Sequence, residues 1–142
     1  MIIGRKAKNY KQRIKIGNNK LVWKSELKYL GVYIDRMLKF QKQVTTSRGK
    51  AIGAFWKLFP LIKYLPPEEG TILYKVYIRP ILEYGLQITN NAPTINKLDS
   101  LQNRLIRIVA GKPEHTSNEQ IRQRLNIENF EIRRTRIASE LT

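Results

Sequence analysis

Few residues in this chain could act in catalysis. It has no cysteine and one histidine, His115, which excludes thiol nucleophiles, thiolate zinc sites and histidine clusters. Two-metal phosphoryl transfer needs clustered carboxylates, but the two aspartates, Asp35 and Asp99, lie far apart along the chain. Glu68 and Glu69 are adjacent but follow a proline, which favours the first turn of a helix over a metal site. The sequence predicts no catalytic residue, metal site or cofactor.

Basic side chains are the chemical groups present in excess. The 142 residues include 27 Lys and Arg and 11 Asp and Glu, a formal net charge of +16. Residues 1–66 hold 16 of the basic side chains and two of the acids, so +14 of the charge lies there. Such a field attracts polyanions, and nucleic acid is favoured over a merely solvated surface or an anionic membrane.

Targeting signals give a second exclusion. The first residues turn basic after two apolar positions, and no apolar run has the length of a signal peptide or a membrane-spanning helix. We therefore expect a protein of the nucleus or cytoplasm that is not secreted and has no membrane partner.

The elements that must position the basic groups begin with strands. Arg13–Ile16 alternates basic with β-branched residues, residues 17–19 supply turn chemistry, and Lys20–Trp23 resumes the extended pattern, which predicts a β-hairpin. The apolar run Leu27–Ile34 predicts a third strand of the same sheet, bent at Gly31. On one such strand, Tyr29 and Tyr33 would share a face.

Beyond Asp35 the apolar period becomes helical. One buried stripe is predicted to consist of Val44, Ala51, Phe55, Leu58 and Ile62. A second helix should start at Pro67, bend at Pro80 and carry Ile72, Leu73, Val76 and Tyr77 on one side. Three further helices are predicted near residues 95–110, 118–125 and 128–141. The fold class is α+β, mostly α, with a small N-terminal antiparallel β element followed by a helical bundle.

Three short motifs stand in order along the chain. They are Lys28-Tyr29-Leu30-Gly31-Val32 followed by Asp35, then Leu73-Tyr74-Lys75 running into residues 78–85, and then residues 101–107. Together they resemble, over about residues 10–140, the C-terminal part of the reverse transcriptase domain of non-LTR retrotransposons, jockey-like elements in particular. The motifs at 78–85 and 101–107 are best explained as packing and helix-bend elements.

The resemblance implies residues that contact nucleic acid. In that family a primer-grip hairpin lies near the primer's 3′ end, and a basic thumb helix follows the template–primer duplex. Residues 1–36 would be a palm-edge remnant with the primer grip, and residues 37–142 a thumb-like domain. The candidate nucleic-acid-binding residues are Lys28, Tyr29, Leu30 and Gly31 at the primer grip, with Lys42, Arg48, Lys50 and Lys57 added on charge alone.

The same resemblance implies a function without catalysis. The palm strands with the family's catalytic aspartates, and the fingers, would lie upstream of Met1, so we expect a fragment of an RNA-directed DNA polymerase that binds an RNA/DNA duplex but is not itself an enzyme. Upstream palm and fingers would be its protein partners.

Two other interpretations are open. A helical protein-interaction domain with incidental charge would use the stripe of Ile95, Leu98, Leu101, Leu105 and Ile108. Alternatively, a severed three-stranded sheet would expose an edge and favour association.

Overall fold

Two small β-hairpins precede a bundle of α-helices. The computed structural model describes residues 1, 3, 14–89, 92–111 and 115–140. The strands are β1 Lys15–Ile16, β2 Asn19–Lys20, β3 Glu26–Tyr29 and β4 Val32–Asp35. The helices are α1 Gln41–Ile62, α2 Pro67–Leu73, α3 Arg79–Glu83, α4 Ala92–Ala110, α5 Asn118–Leu125 and α6 Phe130–Glu140. The predicted fold class, α+β and mostly α, is confirmed.

The first hairpin is confirmed, although Arg13 lies outside the described residues. Lys15 is opposite Lys20 and Ile16 is opposite Asn19 in the antiparallel pair β1–β2. Gly17 adopts a φ of 58° in the two-residue turn, a conformation that glycine takes without a steric penalty. Side chains of both strands are exposed, so this hairpin has little packing of its own.

The predicted third strand is wrong, because the run folds back on itself. Leu30 and Gly31 have φ values of 46° and 82° and form a two-residue turn between β3 and β4. The two hairpins are therefore separate two-stranded sheets. Since Tyr29 pairs with Val32 and Lys28 with Tyr33, the two tyrosines lie on opposite faces of the hairpin and not on a shared one.

Helix α1 buries the predicted stripe. Val44, Ala51, Phe55 and Ile62 are at most 3% exposed, and Leu58 is half-buried. The helix is preceded by a turn in which the Asp35 carboxylate accepts hydrogen bonds from three backbone N–H groups, those of Met37, Lys39 and Phe40. Pro60 lies inside its last turn and does not end it.

The second helical segment presents a different face from the predicted one. Pro80 lacks an N–H group and its ring collides with the carbonyl four residues earlier, and a π-helical stretch, Tyr74–Ile78, lies directly before α3. Tyr74, Ile78 and Leu82 are buried. The predicted side is largely exposed, with Ile72, Val76 and Tyr77 each more than half accessible. Both sides are apolar, so periodicity could not choose between them.

Helix α4 is the centre of the bundle. It packs against α1, α2, α5 and α6. Four residues of its stripe are at most 3% exposed, namely Ile95, Leu98, Leu101 and Leu105, and Ile108 is half-buried. The alternative of a protein-docking surface on this stripe is therefore wrong, because these side chains form the core of the chain itself. The predicted helix α5 is confirmed, and a capping box between Ser117 and Gln120 begins it.

Candidate nucleic-acid interface

Three candidate lysines share one exposed face of α1. At about 100° per residue, Lys42, Lys50 and Lys57 fall within about 80° of arc and span about 22 Å along the helix axis. All three are exposed. Gly49 and Gly53 project in the same direction, and a Cβ at either position would meet nothing within 4 Å. We call Lys42, Lys50 and Lys57 the lysine face.

Arg48 does not join this face. It points about 160° away from Lys50 around the helix. The residue is half-buried, and its Nε is enclosed without a hydrogen-bond partner among the residues that the structure describes. Of the four cations chosen on charge alone, the structure therefore brings three together and turns Arg48 towards the interior.

The hairpin β3–β4 contacts the start of the lysine face through Tyr33. The Nζ atoms of Lys28 and Lys42 lie 5.4 Å and 4.8 Å from the centroid of the Tyr33 ring. Lys42 also forms an ion pair with Glu26 of β3. The hydrogen bond from Lys42 to Glu26 raises the pKa of the Lys42 ammonium, partly offset by desolvation. Lys28 of the first motif is thereby placed beside Lys42.

The other primer-grip candidates form the exposed end of this hairpin. Tyr29 is 61% exposed and Leu30 is 76% exposed. Leu30 occupies the left-handed region that favours glycine, at a cost of about 1–3 kcal/mol. We call the Leu30-Gly31 turn the tip. It presents an apolar side chain to solvent in a backbone conformation that leucine rarely adopts.

Gln43 joins the hairpin to the helices. This glutamine is 4% exposed. Its Oε1 accepts a hydrogen bond from the Tyr33 N–H at 3.0 Å, and its Nε2 donates to the Tyr84 carbonyl at 3.2 Å and the Ser47 hydroxyl at 3.3 Å. Sequence reasoning missed this residue. The signal that was available is a polar pair, Gln43 and Ser47, four residues apart beside the apolar stripe of α1.

The few acidic side chains in the same part of the chain as the lysine face already have partners. In residues 14–66 the acids are Glu26 and Asp35. Glu26 pairs with Lys42, and Asp35 accepts backbone hydrogen bonds at the start of α1. Within this described stretch, the charge of Lys50 and Lys57 has no acidic side chain to balance it.

The second and third motifs form a polar network inside the bundle. Arg79 is 8% exposed, and its Nε lies 2.9 Å from Glu83 Oε1. The Tyr74 hydroxyl donates to Gln102 Oε1 at 3.1 Å, and burial raises the pKa of this phenol. Gln102 Nε2 in turn donates to the Glu128 carbonyl at 2.9 Å. These motif residues hold helices together, in agreement with the packing role predicted for them.

The described residues contain neither a metal-binding cluster nor a membrane-spanning helix. No group of three or more histidine, cysteine, aspartate or glutamate side chains is placed to hold a metal ion in that part of the chain. Over the same residues, none of the helices combines the length and the apolar character needed to cross a membrane.

Comparison with curated proteins identifies relatives. The chain is 36% identical over 90 residues, 59% of its length, to a probable RNA-directed DNA polymerase from transposon X-element of Drosophila melanogaster. It is 31% identical over 106 residues, 70% of its length, to the RNA-directed DNA polymerase from mobile element jockey of the same species. The jockey polymerase of Drosophila funebris is 32% identical over 94 residues, 62% of this chain.

The chain is related to part of a non-LTR retrotransposon reverse transcriptase. The resemblance seen in the three motifs is thus confirmed. The aligned part covers 10% of the X-element polymerase, 12% of the Drosophila melanogaster jockey polymerase and 10% of the Drosophila funebris one, so the chain spans about a tenth of their length. No protein-family model matches this reverse-transcriptase-related chain, and no solved structure matches it.

Proposed function

We propose that this chain is the part of an RNA-directed DNA polymerase that binds the template–primer duplex. Residues 1–36 would be the palm edge with the primer grip, and residues 37–142 the thumb. The observation that carries the proposal is the lysine face of α1, whose first turn contacts the hairpin β3–β4 through Glu26 and Tyr33. The polymerases that the chain resembles act on nucleic acid, which supports a phosphate-bearing partner.

The form of the lysine face supports contact with a phosphate backbone. Its cations run along one side of a helix over about 22 Å, a length that spans several phosphates of a duplex. Gly49 and Gly53 leave the helix surface low in this direction, since nothing lies within 4 Å of a Cβ built at either position. A polyanion could therefore approach the backbone of α1 closely between the lysine side chains.

We further propose that this chain has no catalytic centre of its own. Both aspartates have structural partners, Asp35 at the start of α1 and Asp99 at the start of α6, where its Oδ1 accepts from the Phe130 N–H at 2.8 Å. Desolvation raises the pKa of the Asp99 carboxyl, partly offset by that hydrogen bond. The catalytic aspartates of the polymerase would be supplied by its palm.

The proposal is tested by titrating the chain against a short RNA–DNA primer–template duplex at several salt concentrations. With about six phosphates engaged, the logarithm of the binding constant should fall with a slope of about −5 against the logarithm of salt concentration. The variant Lys50→Glu/Lys57→Glu should lose most of this affinity. Lys42 is left unchanged because its ion pair also holds the hairpin.

A matched control separates the lysine face from net charge. Lys97 and Arg104 are exposed on α4, and Lys97→Glu/Arg104→Glu changes the net charge by the same amount. This control should keep most of the affinity. Equal losses in the two double variants, or binding that does not depend on salt, would refute the proposed interface.

A further inference from the structure

The hydroxyl of Tyr84 holds the hairpin tip although the two are 54 residues apart. It donates a hydrogen bond to the Leu30 carbonyl. The same ring fills the space beside Gly31, where a Cβ would lie 3.2 Å from the Tyr84 hydroxyl. Gly31 also has a φ of 82°, so both its conformation and its surroundings disfavour any other residue.

The backbone of the same tyrosine is hydrogen-bonded to α1. Gln43 Nε2 donates to the Tyr84 carbonyl at 3.2 Å, and Gln43 Oε1 accepts from the Tyr33 N–H at 3.0 Å. Next to Tyr84, Gly85 has a φ of 82° and a Cβ there would lie 3.6 Å from the Val32 side chain. The end of α3 is thus in contact with both strand β4 and the lysine-bearing helix.

We propose that Tyr84 is a positioning residue that sets the hairpin tip relative to the lysine face. This inference rests on the proposed function, since it assumes that the tip meets the end of a duplex held by α1. The hydrogen bond from Tyr84 to the Leu30 carbonyl holds the strained, exposed Leu30 in one orientation. Without this bond, Leu30 would take several orientations. Gln43 links α1 to Tyr84 itself and, through the Tyr33 N–H, to strand β4 that follows the tip.

The test compares two duplexes of the same sequence, one with a recessed 3′ end and one closed at both ends by loops. Wild-type chain should bind the recessed end more tightly, because only that duplex offers an end to the tip. Tyr84→Phe removes one hydroxyl and should reduce binding to the recessed duplex by about threefold to tenfold, the effect of one hydrogen bond of ordinary strength. Binding to the closed duplex and its salt slope should not change.

Two further variants keep the result specific. Tyr77→Phe removes a hydroxyl from a tyrosine that is 56% exposed on the π-helical stretch, and it should leave both affinities unchanged. Gly31→Ala should reproduce the loss of end preference with Tyr84 intact. Combined with Tyr84→Phe, it should add little, because the two substitutions disrupt one contact.

Amide hydrogen exchange of the chain without nucleic acid gives an independent readout. Tyr84→Phe should speed exchange at the tip and leave the amides of α1 unchanged. The positioning role is refuted if Tyr84→Phe leaves amide exchange at the tip unchanged. It is also refuted if exchange at the tip speeds up but the variant still prefers the recessed duplex. It is also refuted if the wild type does not distinguish the two duplexes, although salt-dependent binding by the lysine face would then stand. Absence of salt-dependent binding refutes the proposed function and this inference together.

Discussion

Residues 14–66 and residues 67–140 contain the same number of cations but use them differently. Each stretch has eleven Lys and Arg, whereas the first has two acids and the second has nine. Nine of the eleven cations are lysines in the first stretch and eight are arginines in the second. The first stretch leaves most of its positive charge unpaired with acids at the surface, and the second pairs many of its arginines with glutamates.

The arginines of the second stretch show why the residue type matters. Arg79 and Arg133 both approach Glu83 Oε1, at 2.9 Å and 2.8 Å. A planar guanidinium suits such fixed, partly buried geometry, whereas lysine is a strongly hydrated point charge on a flexible stem. Lysines at the surface therefore serve a polyanion of variable geometry better than arginines already paired with glutamates.

The largest expected effect is on the buried network of the second stretch. Glu83→Gln removes the charge that Arg79 and Arg133 share and leaves Arg79 as an uncompensated buried cation. We expect the free energy of unfolding to fall by about 3 kcal/mol, measured by urea denaturation. Glu26→Gln breaks the Lys42 pair in the first stretch and should cost much less, because both side chains are exposed. Equal costs would contradict the comparison.

Tyr74 gives the second stretch a distinct response to alkali. Burial raises the pKa of its phenol, so above the ordinary tyrosine pKa of about 10 the unfolded chain releases a proton that the folded chain keeps. The contribution of the Tyr74 phenol to the free energy of unfolding is fully present below that pH. Above it, the contribution falls by up to about 1.4 kcal/mol per pH unit. Tyr74→Phe should remove this part of the pH dependence, measured by urea denaturation at several pH values.

At neutral pH, the loss of stability in Tyr74→Phe can be compared with that of a matched variant at an exposed tyrosine. Tyr74→Phe leaves Gln102 without its hydroxyl donor and should lower the free energy of unfolding by about 1–2 kcal/mol. Tyr29→Phe, at a residue that is 61% exposed in the first stretch, should leave it unchanged. A wild-type alkaline unfolding curve identical to that of Tyr74→Phe would contradict the assignment.

Gly53 separates stability from binding in the first stretch. Glycine within a helix is less stable than alanine, and a Cβ at Gly53 would meet nothing within 4 Å. Gly53→Ala should therefore raise the free energy of unfolding by about 1 kcal/mol. It should also weaken binding to the primer–template duplex, because a methyl group would stand where the phosphate backbone approaches α1. Stronger or unchanged binding would argue against close approach at this face.

The smallest expected effect concerns the first hairpin. Lys15 and Lys20 are directly opposite each other, and like charges in such pairs are unfavourable. Lys15→Glu should stabilise the hairpin by about 0.2–1 kcal/mol, seen as slower amide exchange at residues 15–20. In the same variant, duplex affinity should fall because one positive charge is replaced by a negative charge. A gain in both properties would show that this hairpin does not face the duplex.

Parts of the candidate site could be predicted from sequence and parts could not. The buried stripe of α1 follows from helical periodicity, and the motif around Leu30 and Gly31 follows from its residue types. Periodicity predicts one bent strand there, because alternation along an apolar run gives no sign of where a chain reverses unless the turn residues are typical. Only the resemblance implies a hairpin. Arg48 and the three lysines of α1 are candidates on charge alone, although the angle of Arg48 on the helix already separates it from them.

The sequence by itself determined the excess of positive charge, its concentration in the first 66 residues, the positions of most helices and the relationship to reverse transcriptases. Charge is a sum over residue types, and the helices and motifs are short segments, so none of these depends on a contact between distant parts of the chain. The tertiary structure decided which apolar side of the second helical segment, residues 67–83, is buried, and it brought Tyr84 to the hairpin tip and Gln43 to Tyr33 and Tyr84. These contacts join residues up to 54 positions apart, and only packing of the whole bundle brings such groups within hydrogen-bond distance.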